Sequence, residues 1–188
     1  MSIRPIVITG EPVLHQRAHE VETWDDGLRS LVRDMFETMD EAPGVGLAAP
    51  QVGVGLRVFT YDYPDSDGNE RRGVLINPVI ELGEISSEAP DEDTESEGCL
   101  SVPGERFPLK RAETVRISGF DLDRQPVTID ANGWFARIFQ HEFDHLDGKL
   151  YVDRLTEPYS SMARAAIRDF GWGVPGCSWL PGVDDIDA

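Results

Sequence analysis

Apolar residues recur with helical periodicity in the first quarter of the chain. The pattern begins after Asp25-Asp26 and ends at Pro43-Gly44, which are common start and stop signals of helices. Its apolar positions lie on one stripe of a helix with 3.6 residues per turn, and they are Leu28, Leu31, Val32, Met35 and Met39. We therefore predict an amphipathic N-terminal helix.

The middle of the chain has the pattern of strands. Segments rich in β-branched residues that alternate or run apolar lie at 56–62, 73–82, 113–122 and 125–131. The first two are separated by a strong turn sequence at 64–69, whereas the polar and acidic stretch 86–97 resembles a loop. Because these strands precede the later helices instead of alternating with them, the order favours an α+β fold.

A second helix is predicted at residues 134–147. Asn132-Gly133 precedes it as a start signal, and Gly148 follows it as a residue suited to the position after a helix. One stripe of this helix consists of Trp134, Ile138, His141 and His145. The two histidines should therefore face the apolar inner side, where a buried imidazole needs a partner. A last, shorter helix is predicted at 162–170, and residues 171–188 should be irregular.

The pentapeptide His-Glu-Phe-Asp-His at 141–145 is a candidate metal-binding motif. Residues four apart are neighbours on a helix, so His141 and His145 can bind the same ion. Glu142 is one position along, where it can reach a water molecule without being a ligand. Two solvated histidines on a surface helix are the alternative, but the apolar flanks favour a metal site.

The third ligand is open on the residues alone. No histidine follows His145, and the one glutamate after the helix, Glu157, lies just before Pro158. Cys99 follows Gly98 and offers a thiolate, which is a strong ligand for divalent ions of borderline softness. An unpaired cysteine is also commonly a small buried hydrophobe, which is the alternative for Cys99. Cys177, in a Gly/Pro-rich tail, is interpreted as structural.

Composition narrows the class of protein. The 188 residues carry a net charge of −18, which argues against unaided binding to nucleic acid or anionic lipid. No apolar run approaches the ~20 residues of a membrane span, and no secretory signal is visible. The two cysteines suit a reducing compartment, so we expect a cytoplasmic protein. The acidic clusters, at 84–97 and at Asp184, Asp185 and Asp187, are interpreted as solvated surface.

Three separated blocks together resemble the peptide deformylase family. They are Gly-Val-Gly-Leu-Ala-Ala-Pro-Gln at 44–51, Glu-Gly-Cys-Leu-Ser at 97–101 and Gln-His-Glu-Phe-Asp-His-Leu at 140–146. The resemblance spans roughly residues 3–155 and implies antiparallel sheets packed around a central metal-binding α-helix, with an N-terminal helix and a C-terminal helix and tail. We accordingly predict one catalytic domain at 1–170 and an irregular tail at 171–188.

The same resemblance implies the chemistry. One divalent ion, usually Fe²⁺ with Zn²⁺, Ni²⁺ or Co²⁺ as substitutes, would be bound by Cys99, His141 and His145, and one coordination position would stay open. The implied substrate is the N-formylmethionyl end of a newly made polypeptide, and the products are formate and a free amine. A brief encounter with the ribosome is compatible with that substrate, although the acidic C-terminus should be repelled by RNA.

Roles for further residues also follow from the resemblance. Glu142 would be the general base, while the Gln51 side-chain amide and the Leu100 backbone N–H would stabilise the developing oxyanion. The backbone at Gly46 would pair with the extended substrate. A preference for methionine needs an apolar slot, and its candidates are Val45, Trp134, Ile138 and the ring of His141, because the last three share one stripe of the helix. Trp134 is equally compatible with a place in the ordinary core. Arg106 and Arg111 would flank its mouth or brace Glu97.

Two other functions remain open on the sequence. A zinc endopeptidase can carry the same helix motif, but it would need an open cleft and commonly a downstream third ligand. A catalytically inactive metal-binding relative would have no need of Glu142, because that residue is not required to hold the ion.

Overall fold

The computed structural model describes residues 2–184, so Asp185 and Asp187 of the acidic C-terminal cluster lie outside the described residues. Within that part of the chain the helices are α1 (Asp26–Glu41), α2 (Gly133–Leu146) and α3 (Tyr159–Asp169). The strands are β1 (Ile6–Val7), β2 (Gly46–Ala48), β3 (Val58–Asp62), β4 (Arg72–Leu82), β5 (Ser96–Cys99), β6 (Val102–Pro108), β7 (Thr114–Phe120), β8 (Pro126–Asn132) and β9 (Ser178–Trp179).

The strands form three antiparallel sheets. The largest has the order β2-β3-β4-β7-β8, so β2 is one of its edges. β5 pairs with β6, and β1 pairs with β9 near the two ends of the chain. The predicted α+β class with antiparallel sheets is confirmed, and the four predicted strands correspond to β3, β4, β7 and β8.

Helix α1 begins before the first residue of its apolar stripe, Leu28, and its first turn is capped by Asp25. The side chain of Asp25 accepts a hydrogen bond from the Leu28 backbone N–H at 2.9 Å. The stripe then buries Leu31 and Met35 in a core that also contains Trp179. Burial of this kind contributes roughly 1.5–3 kcal/mol for each large apolar side chain.

Aromatic rings hold α2 on the large sheet. The ring centroids of Phe135 and Phe139 lie 4.5 Å apart, and Tyr61 of β3 meets Phe139 edge-on at 5.1 Å. Such tilted and edge-to-face pairs add about 0.5–1.5 kcal/mol each beyond their burial. Since these rings set the rotation of α2, they also set which way the side chains at 141, 142 and 145 point.

Three predictions differ from the structure. The segment 86–97 was expected to be a loop, but Ser96 and Glu97 begin β5. Residues 171–188 were expected to be irregular, yet they include β9, whose Trp179 is buried. Trp134 was placed on an inner stripe, but it is 42% exposed because it lies in the first turn of α2, beyond the edge of the core. In the described part of the chain, no helix is long and apolar enough to cross a membrane.

Candidate active site

The three predicted ligands converge although they come from distant segments. Cys99 is the last residue of β5, where the pairing with β6 shifts register, and both histidines are on α2. The Cys99 Sγ lies 3.3 Å from His145 Nε2. One ligand atom from each of Cys99, His141 and His145 falls within 4.8 Å of the others.

This cluster fits a divalent metal ion. With metal–sulfur and metal–nitrogen bonds of about 2.3 and 2.0–2.1 Å, two ligands of a tetrahedral ion lie about 3.6 Å apart. The Cys99–His145 separation is close to that value. One sulfur and two imidazole nitrogens also suit ions of borderline softness. The residues present therefore suit a divalent metal ion.

Glu97 orients His141 from the side away from the cluster. Its Oε2 lies 3.0 Å from His141 Nδ1, which leaves the opposite ring nitrogen for the ion. Arg111 holds both carboxylate oxygens, at 2.8 and 2.9 Å, and Arg137 contacts Oε1 at 2.8 Å. Of the two predicted arginines, Arg111 thus contacts Glu97 directly, whereas Arg106 lines the adjacent cavity.

The Glu97–Arg111 pair is ionised despite its burial. Burial alone would raise the pKa of Glu97, but the hydrogen bonds from Arg111 and His141 hold it well below its usual range. Burial would likewise lower the pKa of Arg111, but Glu97 and Asp144 raise it. Asp144 accepts from Arg111 at 2.6 Å and also pairs with Arg154. The sequence interpretation missed Arg137, Asp144 and Arg154 because nothing in their local spacing indicates long-range pairing.

The pKa values of the two imidazoles are shifted in opposite directions. Burial lowers the pKa of His141, but the neighbouring Cys99 and Glu97 outweigh it and raise the value well above normal. Burial lowers the pKa of His145 well below normal, and the charge of His141 adds to that effect. The His145 ring, which lies beside the Cys99 sulfur, therefore favours its neutral form, and neutral imidazole is the form that binds a metal.

Glu142 is enclosed next to this cluster. It is 4% exposed, and its Oε2 is one of the buried side-chain atoms in the described chain that have no hydrogen-bond partner. Burial raises its pKa to about 7. The carboxylate packs against Gly46, where an added Cβ would lie 2.4 Å from Oε1. Only a residue without a side chain leaves that space.

Gln51 and Leu100 flank the cysteine. The Gln51 Oε1 accepts the Ala48 backbone N–H at 2.8 Å, which turns its Nε2 towards Ser101 Oγ at 3.4 Å and Cys99 Sγ at 3.7 Å. Gln51 is held in a short 3₁₀ helix at Ala49–Val52. Leu100 directly follows the cysteine and lines the same cavity.

A cavity of about 390 Å³ opens onto these groups. The four candidates for the substrate slot, Val45, Trp134, Ile138 and His141, all line it, and so does Arg106, which was predicted at its mouth. Val45 and Trp134 are about two-fifths exposed and form its rim, while Ile138 is buried in its wall. The sequence interpretation missed Pro103 and Glu105, which lie in strand β6 and line the cavity.

A buried centre with three protein ligands, an adjacent carboxylate and an open cavity defines the class of metal-dependent hydrolases. Comparison with known proteins identifies the same class of enzyme. The family model for polypeptide deformylase matches residues 3–160. A peptide deformylase of Mycolicibacterium paratuberculosis is 53% identical over 189 residues, covering 97% of this chain and 96% of that protein.

Solved structures agree as well. The peptide deformylase of Legionella pneumophila superposes with a TM-score of 0.75 at 41% identity, covering 90% of this chain and 96% of that one. The Ehrlichia chaffeensis enzyme in complex with actinonin gives 0.78 at 36% identity, covering 90% and 96%. The chain belongs to the peptide deformylase family, and it is therefore an enzyme whose site implies a divalent metal ion. The endopeptidase and the inactive relative are not favoured.

Proposed function

We propose that this enzyme removes the formyl group from the N-terminal formylmethionine of newly made polypeptides in the cytoplasm and releases formate. The observation that carries the proposal is the convergence of Cys99, His141 and His145 with the enclosed Glu142 on one open cavity. Membership of the family supports the same substrate class.

We propose that Cys99, His141 and His145 hold Fe²⁺ as the native ion, with Zn²⁺, Ni²⁺ or Co²⁺ as substitutes. A divalent ion in that position supplies a Lewis acid, which polarises a carbonyl oxygen and increases the acidity of water. Glu97 fixes the ring of His141 through Nδ1, and the ion pairs with Arg111 and Arg137 keep Glu97 in place.

Glu142 moves the proton. Its carboxylate accepts a proton from the attacking water as the oxygen–carbon bond to the formyl group forms. It then donates that proton to the amine nitrogen as the carbon–nitrogen bond breaks, so the products are formate and a free N-terminus. The unpartnered Oε2 is the atom available for this transfer, and enclosure against Gly46 keeps it aimed at the site.

Gln51 and Leu100 stabilise the charge that develops on the formyl oxygen. The Gln51 Nε2 is aimed by the Ala48 N–H, and the Leu100 backbone N–H lies beside the cysteine. An oxyanion donor of this kind contributes about 2.7–4 kcal/mol. Neither group has to reorganise when charge appears, because both are held by the fold.

Recognition of the peptide uses the edge of the large sheet. β2 carries Gly46, and among residues 2–184 it pairs with β3 alone, so its other side is available to an extended substrate. The methionine side chain occupies the slot formed by Val45, Trp134 and Ile138, with Arg106 at its mouth. Encounter with the ribosome is transient, because a net charge of −18 disfavours contact with RNA.

The test is formate release from formyl-Met-Ala-Ser by protein purified and loaded with Fe²⁺ without oxygen. We expect formate from this peptide and no cleavage of a blocked peptide with internal bonds only. Glu142→Gln should keep its metal and lose roughly 10²–10⁴-fold in kcat. Glu105→Gln, which alters another carboxylate lining the cavity, is the control. Internal cleavage, or full turnover by Glu142→Gln, would contradict the proposal.

A further inference from the structure

The turn that follows Cys99 is held by segments from both ends of the chain. This turn consists of Leu100 and Ser101 and joins β5 to β6. The Ser101 carbonyl accepts the Thr9 backbone N–H at 2.8 Å. The Leu100 carbonyl accepts the indole N–H of Trp179 at 2.8 Å. Neither Thr9 nor Trp179 belongs to the three motif blocks that identify the site.

Trp179 reaches the turn because its own segment is tightly fixed. β9 pairs with β1, and the Ile8 N–H continues the connection by donating to the Cys177 carbonyl at 2.9 Å. Gly10 has a φ of +106°, and an added Cβ there would lie 2.3 Å from the Val174 backbone nitrogen. The C-terminal segment therefore crosses the N-terminal one in direct backbone contact.

The peptide plane between Leu100 and Ser101 is held at both of its polar atoms. Its carbonyl oxygen accepts from the Trp179 indole, and its N–H, on Ser101, donates to Cys99 Sγ at 3.4 Å. Cys99 precedes Leu100 and is itself in the β5 ladder. Leu100 is thus fixed on either side, and the direction of its own N–H is fixed with it.

We propose that Trp179 is a positioning residue for deformylation, whose indole N–H orients the Leu100–Ser101 peptide against the Cys99 sulfur and so aims the Leu100 N–H at the site. This inference rests on the proposed roles of Cys99 and Leu100. Trp179 lies beyond residue 160, where the match to the family model ends. The indole touches neither substrate nor ion; it acts through the turn.

The first test compares two Trp→Phe variants that lose the same kind of bond. Trp179→Phe removes the donor to Leu100, and Trp24→Phe removes an indole donor to the Asp121 carbonyl at 3.2 Å, where neither residue lines the cavity. We expect kcat of Trp179→Phe to fall roughly tenfold, with a smaller change in KM. Complete removal of an oxyanion donor lowers kcat by about 10²–10³-fold, and this variant misdirects the donor without removing it. Trp24→Phe should keep the wild-type kcat.

The second readout does not depend on turnover. In Co²⁺-loaded protein, the sulfur-to-metal charge-transfer band reports the electron density on Cys99 Sγ. Loosening the Ser101 N–H···Sγ bond should raise that density and move the band of Trp179→Phe to longer wavelength, with metal content unchanged. A role limited to filling the core would lower the unfolding midpoint and leave the band in place.

The proposal is overturned if Trp179→Phe matches Trp24→Phe in both kcat and band position. If Trp179→Phe does not fold, benzothienylalanine at position 179 keeps both rings without the N–H donor, and the same two outcomes apply. Failure of wild-type protein to release formate would instead refute the proposed function, and the band shift would still test the link from Trp179 to the cysteine.

Discussion

Gly46 has two structural roles, one at the edge of the sheet and one beside Glu142. Its backbone lies on the free edge of β2, and its missing side chain leaves the space taken by the Glu142 carboxylate. The sequence interpretation expected only the first role, namely close approach of a substrate backbone. The second could not be foreseen, because it depends on the packing of α2 against β2, which are about a hundred residues apart in the chain.

We predict that Gly46→Ala impairs catalysis more than folding. The new Cβ would lie within 2.4–2.9 Å of three Glu142 side-chain atoms, so the carboxylate has to shift. A displacement near 1 Å costs about 10²-fold in kcat, and overpacking costs about 1–3 kcal/mol of stability. Formate release and urea unfolding measure the two effects.

Gly55→Ala is the matched control, because its nearest neighbour would be 3.7 Å away, an ordinary contact. It should keep the wild-type kcat. Equal activity of the two variants would show that the Glu142 carboxylate has room to move, and our account of Gly46 would then be wrong.

At the scale of elements, buried charges connect β5 to α2. Glu97 of β5 pairs with Arg137 of α2 and with Arg111, which in turn pairs with Asp144 of α2. All four side chains are at most 9% exposed. Because Glu97 also contacts the ring of His141, this network positions His141 near Cys99.

We predict that Glu97→Gln strongly destabilises the metal-free protein. Removal of the carboxylate takes a negative charge from two buried guanidinium groups and leaves Arg111 with Asp144 and Arg137 with the Leu109 carbonyl. Breaking a buried ion pair in this way typically costs about 3–5 kcal/mol. Urea unfolding of the apoprotein measures the change. Asp130→Asn, which removes the partner of Arg116 on the exposed face of β7 and β8, should change stability little. A loss no larger than that of Asp130→Asn would mean that the Glu97 network does not hold β5 to α2.

Periodicity predicted the elements that are stabilised by apolar burial, and it failed where charges do the pairing. α1 and α2 have clear apolar stripes, and the four central strands have β-branched runs, so their positions were predicted to within a few residues. β5 has no apolar run that could reveal it, because its buried side chain Glu97 is stabilised by ion pairs with Arg111 and Arg137. Likewise, the fixed i, i+4 spacing identified His141 and His145, whereas Arg137 and Trp179 act on partners over 25 residues away.

At the scale of the whole molecule, the two ends of the chain belong to one core. Trp179 packs in the same cluster as Ile6 and Met35, and it is 6% exposed. The division at residue 170 between a catalytic domain and a tail stays a prediction, and this packing indicates that part of the tail stabilises the domain.

We predict that a chain ending at residue 170 is less stable than one ending at 184. The shorter chain loses β9 and the buried Trp179 ring, and loss of a buried Trp side chain costs about 3–5 kcal/mol. The chain ending at 184 keeps every described residue. Thermal unfolding followed by circular dichroism compares them, and equal midpoints would assign residues 171–184 no part in stability.

Because Cys99 and His141 are far apart along the chain and meet only in the folded protein, binding of the metal stabilises the folded state. In an unfolded chain the Cys99 thiol is far from the imidazoles of His141 and His145, whereas the native chain brings all three together. An ion that prefers the native state stabilises it by mass action, by about 2.7 kcal/mol when its concentration is 100 times its dissociation constant. A cell short of the metal would thus lose molecules of this enzyme to proteolysis as well as their activity.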